Sequence, residues 1–132
     1  MTVAIDTNIL VRAAAGDDIR QSKAAAYVLR NEEKIVVPIV VLCEFVWVMR
    51  QGFKMRAVEI AESIRALMES KNVVANDQAV DAGLRILDQG GDFADGVIAY
   101  ESRWLGAEEF VSFDKQAVTV LRSQGHKARL LS

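Results

Sequence analysis

Short apolar runs alternate along the chain with longer segments in which apolar residues recur every three or four positions. Runs such as 3–5 and 35–37 are rich in β-branched residues and are typical of buried strands. Segment 56–70 instead carries its apolar residues at helical spacing. The pattern predicts strands over 2–5, 35–37, 110–113 and 128–131, with a short strand or extended link at 73–74. It predicts helices over 9–15, 19–30, 38–51, 56–70, 78–89, 92–105 and 117–123.

Strands that alternate with helices imply right-handed crossovers and a mainly parallel sheet with helices on both faces. The weakest helix prediction is 38–51, because Val40 and Val41 are β-branched, but Pro38 suits a helix start and the length exceeds that of most strands. No internal repeat or linker interrupts the 132 residues. We therefore predict one α/β domain over 1–132.

Composition narrows the classes of protein that remain. A formal charge of -2 and a sequence pI of 5.4 are not those of a protein that coats nucleic acid through bulk charge, so any phosphate contact is expected to be local or metal-mediated. Cys43 is the only cysteine, so no internal disulfide can form. With no visible signal peptide and no apolar run long enough for a membrane span, we expect a cytoplasmic protein.

Acidic residues stand where strands lead into helices. Asp6 and Asp114 each follow an apolar strand, and in a parallel sheet both can face the same carboxyl edge, where ligands bind. Asp92 and Asp95 are three positions apart at a helix start and project from nearly one face. Each acid taken singly is more often a cap or a partner of the helix dipole. Their shared edge favours a functional cluster.

Glu44 is the only charged residue between positions 36 and 49. Its helical neighbours three and four positions away are all apolar, so a buried carboxylate here would need a cation or a proton. Two interpretations remain: Glu44 points to water from a narrow polar stripe, or it binds a metal. Oxygen ligands without paired His or Cys favour Mg²⁺ or Mn²⁺ over zinc.

Other strand-end chemistries fit less well. A phosphatase of the Asp-x-Asp kind needs a second acid where this chain has Asn8, and no glycine-rich phosphate loop is present. A receiver domain phosphorylated on aspartate also uses strand-end acids, but it has no use for Glu44 in the middle of a helix. Labelling with acetyl phosphate would distinguish it.

The motifs together resemble a PIN domain, and most closely the VapC-type ribonuclease toxins of bacterial toxin-antitoxin pairs. The matching pieces are Ile-Asp-Thr-Asn at 5–8, Glu44 in an apolar helix, Asp-Phe-Ala-Asp-Gly-Val-Ile-Ala at 92–99 and Val-Ser-Phe-Asp at 111–114. They occur in the family's order across the chain. The resemblance implies a three-layer α/β/α sandwich with a mainly parallel central sheet.

The same resemblance implies roles for individual residues. The acids expected to bind the metal and carry catalysis are Asp6, Glu44, Asp95 and Asp114, with Asp92 as an auxiliary acid. Residues expected to orient the carboxylates or water are Thr7, Asn8 and Ser112. By their position beside these motifs, Arg12 and Lys115 are possible RNA phosphate contacts or, alternatively, solvated surface charges. Gly96, where the family more often has alanine, would loosen its helix by about 1 kcal/mol.

The function implied by the resemblance is an endoribonuclease dependent on Mg²⁺ or Mn²⁺. Its expected partners are an RNA substrate, a VapB-type antitoxin whose C-terminal segment covers the active-site groove, and a second copy in a homodimer. The alternative is a catalytically inactive PIN-like scaffold that binds RNA or protein. The intact set of acids counts against that alternative, and the variant Asp6→Asn would separate the two.

Overall fold

The structure is a computed structural model that describes all residues, 1–132. The chain divides into two compact units, Met1–Asp77 and Gln78–Ser132. The strands are β1 (Thr2–Ala4), β2 (Lys34–Val36), β3 (Val73–Val74), β4 (Phe110–Ser112) and β5 (Ala128–Leu130). The helices are α1 (Thr7–Ala15), α2 (Ile19–Asn31), α3 (Ile39–Gln51), α4 (Ala57–Glu69), α5 (Asp77–Asp88), α6 (Phe93–Trp104) and α7 (Lys115–Ser123).

The first unit is built on a three-stranded parallel sheet in the order β1-β2-β3. Val3 pairs with Ile35, which in turn pairs with Val73. Helix α1 packs against α2 and α3, and α4 packs against α3 and β3. Apolar side chains from the central strand and from α3, including Ile35 and Leu42, are fully buried between these layers. The core therefore fixes α1 and α3, the two helices that carry predicted site residues.

The second unit contains a parallel pair of strands, in which Phe110 of β4 lies opposite Ala128 of β5. Helix α7 packs on both strands and on α6. The apolar core of this unit consists of Ile86, Ala99, Val118, Val120, Leu121 and Ala128, with Phe110 packed against it. Every strand pairing in the structure is parallel, which confirms the predicted α/β class with a parallel sheet.

All of the predicted strands and helices are present, and their bounds differ from the prediction by at most two residues. Helix α1 begins at Thr7 and α7 at Lys115, each two residues earlier than predicted, because Asp6 and Asp114 occupy the N-cap positions. Segment 38–51 is helical, with Pro38 at the N-cap of α3. None of the helices combines the length and hydrophobicity needed to cross a lipid bilayer. The assignment of the whole chain to one domain stays a prediction.

Candidate active site

Asp6 follows β1 and occupies the N-cap position of α1 with an extended backbone (φ -94°, ψ 177°). Its side chain makes no hydrogen bond to the first turn of the helix, although aspartate at this position commonly does. The carboxylate is exposed to solvent. The capping role that is the simplest alternative for this acid is therefore absent, and the carboxylate is available to a ligand.

Thr7 connects the start of α1 to the middle of α3. It is the only buried polar residue of the protein, and its hydroxyl donates a hydrogen bond to Oε1 of Glu44. Since Thr7 directly follows Asp6, this bond brings the carboxylate of Glu44 to the neighbourhood of the strand-end acid. The first unit thus places two of the predicted acids at one end of β1.

The burial argument for Glu44 is wrong. Glu44 is exposed, and of its neighbours three and four positions away Val40 and Trp47 are exposed as well, at 69 % and 65 %, whereas Val41 is buried. The neighbours at helical spacing therefore do not enclose Glu44, because two of them face solvent with it. Its carboxylate needs no cation to compensate for burial. Its assignment as a metal ligand stays a prediction that depends on its place in the motif set.

Two acids of the second unit are helix caps. Asp92 accepts a hydrogen bond from the Ala94 amide on Oδ1 at 3.0 Å at the start of α6. Asp114 accepts from the amides of Gln116 and Ala117, also on Oδ1, at 2.9 and 3.1 Å at the start of α7. Because one oxygen of each carboxylate does all the capping, the cap role leaves the second oxygen available. Capping and ligand binding are compatible for these residues.

Asp95 is half-buried in the first turn of α6. Burial raises the pKa of its carboxyl from 3.8 to about 6, with smaller contributions from the negative charges of Asp92 and Asp114. The second unit therefore brings three acids close enough for their charges to interact. A hard cation would relieve this repulsion, and carboxylate oxygens are the donors that such a cation prefers.

The fit to a metal ion lies in the chemistry of these donors. No group of three or more His, Cys, Asp or Glu side chains in the structure is arranged so that it could hold a metal ion. The side chains present are oxygen donors, and the set includes no thiolate or imidazole. The donor chemistry fits Mg²⁺ or Mn²⁺ and does not fit zinc.

Close packing between α5 and α6 holds this acidic helix start in place. The ring of Phe93, which stands between Asp92 and Asp95, is fully buried and lies where a Cβ on Gly83 would approach it to 2.5 Å. A Cβ on Gly96 would overlap the Ala82 carbonyl oxygen and come within 2.9 Å of the Gly83 Cα. The expectation that Gly96 merely loosens the helix is wrong, because alanine does not fit here.

Gly83 and Phe93 were not predicted as positioning residues. The available signal was a lone glycine inside the otherwise regular helical pattern of 78–89, which often marks a close approach of another element. The buried aromatic between two acids was the second signal. Neither signal shows which residue will be in contact with it, because that contact depends on which helix packs against this one.

Ser112 supports Asp114 through the backbone. Its hydroxyl oxygen accepts a hydrogen bond from the Asp114 amide at 2.9 Å, which fixes the turn between β4 and α7. Asn8 is exposed in the first turn of α1 and makes no hydrogen bond to Asp6. The residue that orients a predicted acid in the first unit is therefore Thr7.

The two predicted phosphate contacts differ in availability. Both oxygens of Asp17 lie 2.9 Å from Nη1 of Arg12, so a phosphate would have to replace this partner. Lys115 is exposed at the first position of α7, next to Asp114, and forms no ion pair. Lys115 is the better placed of the two for an incoming anion.

Parallel strands that lead into acids, with oxygen-only donors beside them, are typical of hydrolases that act on phosphate esters with a hard cation. The PIN domain family model matches residues 3–120, and the chain therefore belongs to the PIN domain family. PIN domains are generally nucleases that bind RNA and typically use divalent metal ions. A search of curated proteins found no match to the chain.

Proposed function

We propose that this PIN domain is a metal-dependent endoribonuclease. The proposed ligands of the ion are Asp6, Glu44, Asp95 and Asp114, with Asp92 as an auxiliary acid. The observation that supports this most strongly is that Asp95 is half-buried beside two other carboxylates, so that burial, and to a lesser extent the charges of Asp92 and Asp114, raises its pKa to about 6. A protein gains nothing in stability from such crowding, so a bound cation is its simplest use.

The residues around the acids would control their orientation. Thr7 donates to one oxygen of Glu44, and the backbone amides at the start of α7 hold one oxygen of Asp114. Both contacts leave the second carboxylate oxygen without such a restraint. When bound, Mg²⁺ or Mn²⁺ would lower the pKa of a water and offset negative charge on the phosphodiester. Lys115 would contact a phosphate of the RNA strand.

We further propose that the protein is the toxin of a VapBC-type pair, restrained by a VapB-type antitoxin and active as a homodimer in the cytoplasm. The support is the family match over residues 3–120 together with the motif set at 5–8, 92–99 and 111–114. Expression of the protein alone in a bacterium is expected to arrest growth, and expression of Asp6→Asn is not. Equal growth arrest by the two proteins would contradict the proposal.

The enzymatic proposal is tested by sequencing the fragments that the purified protein makes from structured RNA in Mg²⁺ or Mn²⁺. We expect internal cuts with 5′-phosphate and 3′-hydroxyl ends, and no cuts in EDTA or with Asp6→Asn. Glu62→Gln, which removes an exposed acid on α4, is the charge-matched control and should cut normally. A wild-type protein that binds RNA in Mn²⁺ but leaves it intact would instead support the non-cleaving scaffold.

A further inference from the structure

The C-terminal end of α6 exposes a tryptophan beside a fixed tyrosine. The rings of Tyr100 and Trp104 meet edge to face, with centroids 6.5 Å apart and planes at 66°. The Tyr100 hydroxyl donates to Oε1 of Gln78 at 2.6 Å, which holds that ring in place. Trp104 is 74 % exposed and the next residue, Leu105, is 89 % exposed. An aromatic surface so exposed contributes little to the core and is available to a ligand.

Positive charge without an acidic partner lies beside this aromatic pair. Nη1 of Arg103 is 2.7 Å from Nδ1 of His126, and no carboxylate forms an ion pair with Arg103 or Lys127. By contrast, Arg85 and Arg129 are paired with acids at 3.0 and 3.1 Å. Two cations without an acidic partner, Arg103 and Lys127, therefore lie near the aromatic pair.

A depression of about 500 Å³ adjoins the aromatic pair. Its apolar lining includes Ala99, Phe110 and Leu121. Its polar lining includes Arg103, His126 and Lys127 together with the acids Glu108 and Glu109, of which Glu109 is paired with Arg129. Arg103 also lines a smaller depression together with Tyr100 and Trp104. The Arg103 guanidinium thus lies between the aromatic surface and a second depression that is lined by both cations and acids.

We propose that this end of α6 binds single-stranded RNA, with a base stacked on Trp104 and phosphates contacting Arg103 and Lys127. Stacking on aromatic side chains beside a cationic surface is how proteins hold single strands without reading their sequence. The combination of unpaired cations and exposed aromatic rings fits a polyanion that carries bases better than it fits an apolar protein surface. The proposal rests on the proposed function in so far as the bound strand is the substrate.

The position of Arg103 on α6 implies an RNA contact at a distance from the proposed cleavage site. Eight residues separate Asp95 from Arg103, which is about 12 Å along the helix axis. Stacked nucleotides rise by about 3.4 Å each, so the contact would lie several nucleotides from the acids. It would raise affinity for long RNA and leave short oligonucleotides unaffected.

Binding is measured in EDTA, so that it is separated from cleavage. The chain has two tryptophans, and in Trp47→Phe the fluorescence reports Trp104 alone. A single-stranded oligonucleotide of about 12 nucleotides is expected to quench this signal. Trp104→Ala should weaken binding of labelled RNA by roughly fivefold to a hundredfold. Tyr27→Ala, which removes another exposed aromatic on α2, is the matched control.

The charge contacts have their own signature. Removing two phosphate contacts with Arg103→Ala and Lys127→Ala should reduce the slope of log affinity against log salt by about 1.4. In cleavage assays, Trp104→Ala should raise KM for long RNA and leave kcat unchanged. If these variants have the same KM, affinity and salt dependence as the wild type, the RNA-binding proposal is wrong. That result would leave the proposed nuclease function standing.

Two further outcomes decide between this surface and its alternatives. If the protein cuts no RNA but quenching of Trp104 persists, the proposed function fails and the RNA-binding surface stands. If Trp104 fluorescence instead changes with protein concentration in the absence of RNA, and Trp104→Ala abolishes a dimer seen by sedimentation, the surface is a contact between copies. That result would overturn the proposal.

Discussion

Replacing Asp95 with asparagine is expected to stabilise the metal-free protein. The pKa of Asp95 is raised from 3.8 to about 6, a difference that corresponds to about 3 kcal/mol for a fully buried carboxyl. Asp95 is only half-buried, so solvent screening reduces the expected gain to about 1 kcal/mol. For a chain of this length, that gain raises Tm by about 3–5 °C.

The pH dependence follows from the direction of the shift. A carboxyl whose pKa is raised on folding binds its proton more tightly in the folded state, so wild-type stability falls as pH rises from about 4 to about 6. The advantage of Asp95→Asn should therefore be full above pH 6 and vanish near pH 4.

Thermal unfolding in EDTA across this pH range measures the effect on Asp95→Asn. Glu62→Gln removes the same charge from an exposed position on α4 and is expected to change stability by less than about 0.5 kcal/mol. A variant that is no more stable than wild type at pH 7.5, or whose advantage persists unchanged at pH 4, would show that burial and neighbouring charges do not raise the pKa of Asp95.

Three further changes probe the same region. Gly96→Ala should lower the free energy of unfolding in urea by about 1–3 kcal/mol, because its Cβ overlaps the Ala82 carbonyl. This loss is expected despite the better helix propensity of alanine, and an unchanged unfolding midpoint would contradict the close packing. Thr7→Val removes the hydrogen-bond donor to Glu44 and should reduce nuclease activity about tenfold to a hundredfold. Thr7→Ser, which keeps the hydroxyl, should recover the activity. Full activity of the valine variant would argue against a role of Thr7 in orienting Glu44. Mg²⁺ at ten times its Kd should stabilise the wild type by about 1.4 kcal/mol and Asp95→Asn by less, as measured by Tm; equal shifts would exclude Asp95 as a ligand.

The elements and their order could be predicted because they depend on local patterns. Apolar runs marked the strands, and the acids that follow two of them marked helix starts. Aspartate alone does not say whether it will cap: Asp92 and Asp114 cap their helices, whereas Asp6 occupies the same position without doing so. That choice depends on the side-chain rotamer, which the sequence leaves open.

The errors came from contacts between elements. The sequence left open whether Glu44 faces water or binds a metal among apolar neighbours. Glu44 is exposed, and no pattern within one helix shows which of two apolar sides is covered. Gly96 was expected to weaken α6, but the space it leaves is filled by the backbone of α5. Thr7 was predicted to orient carboxylates, and its partner Glu44 lies 37 residues away along the chain.

The buried ring of Phe93 has a consequence for how fast the protein can load an ion. Because the ring is locked against Gly83, the backbone that carries Asp92 and Asp95 is preorganised before any ligand arrives. Loading would then require side-chain rotation alone, on the nanosecond timescale of rotamer changes, without a slow helix rearrangement. The association rate is accordingly expected to be set by how quickly the ion sheds water, and to be faster for Mn²⁺ than for the reluctantly dehydrated Mg²⁺.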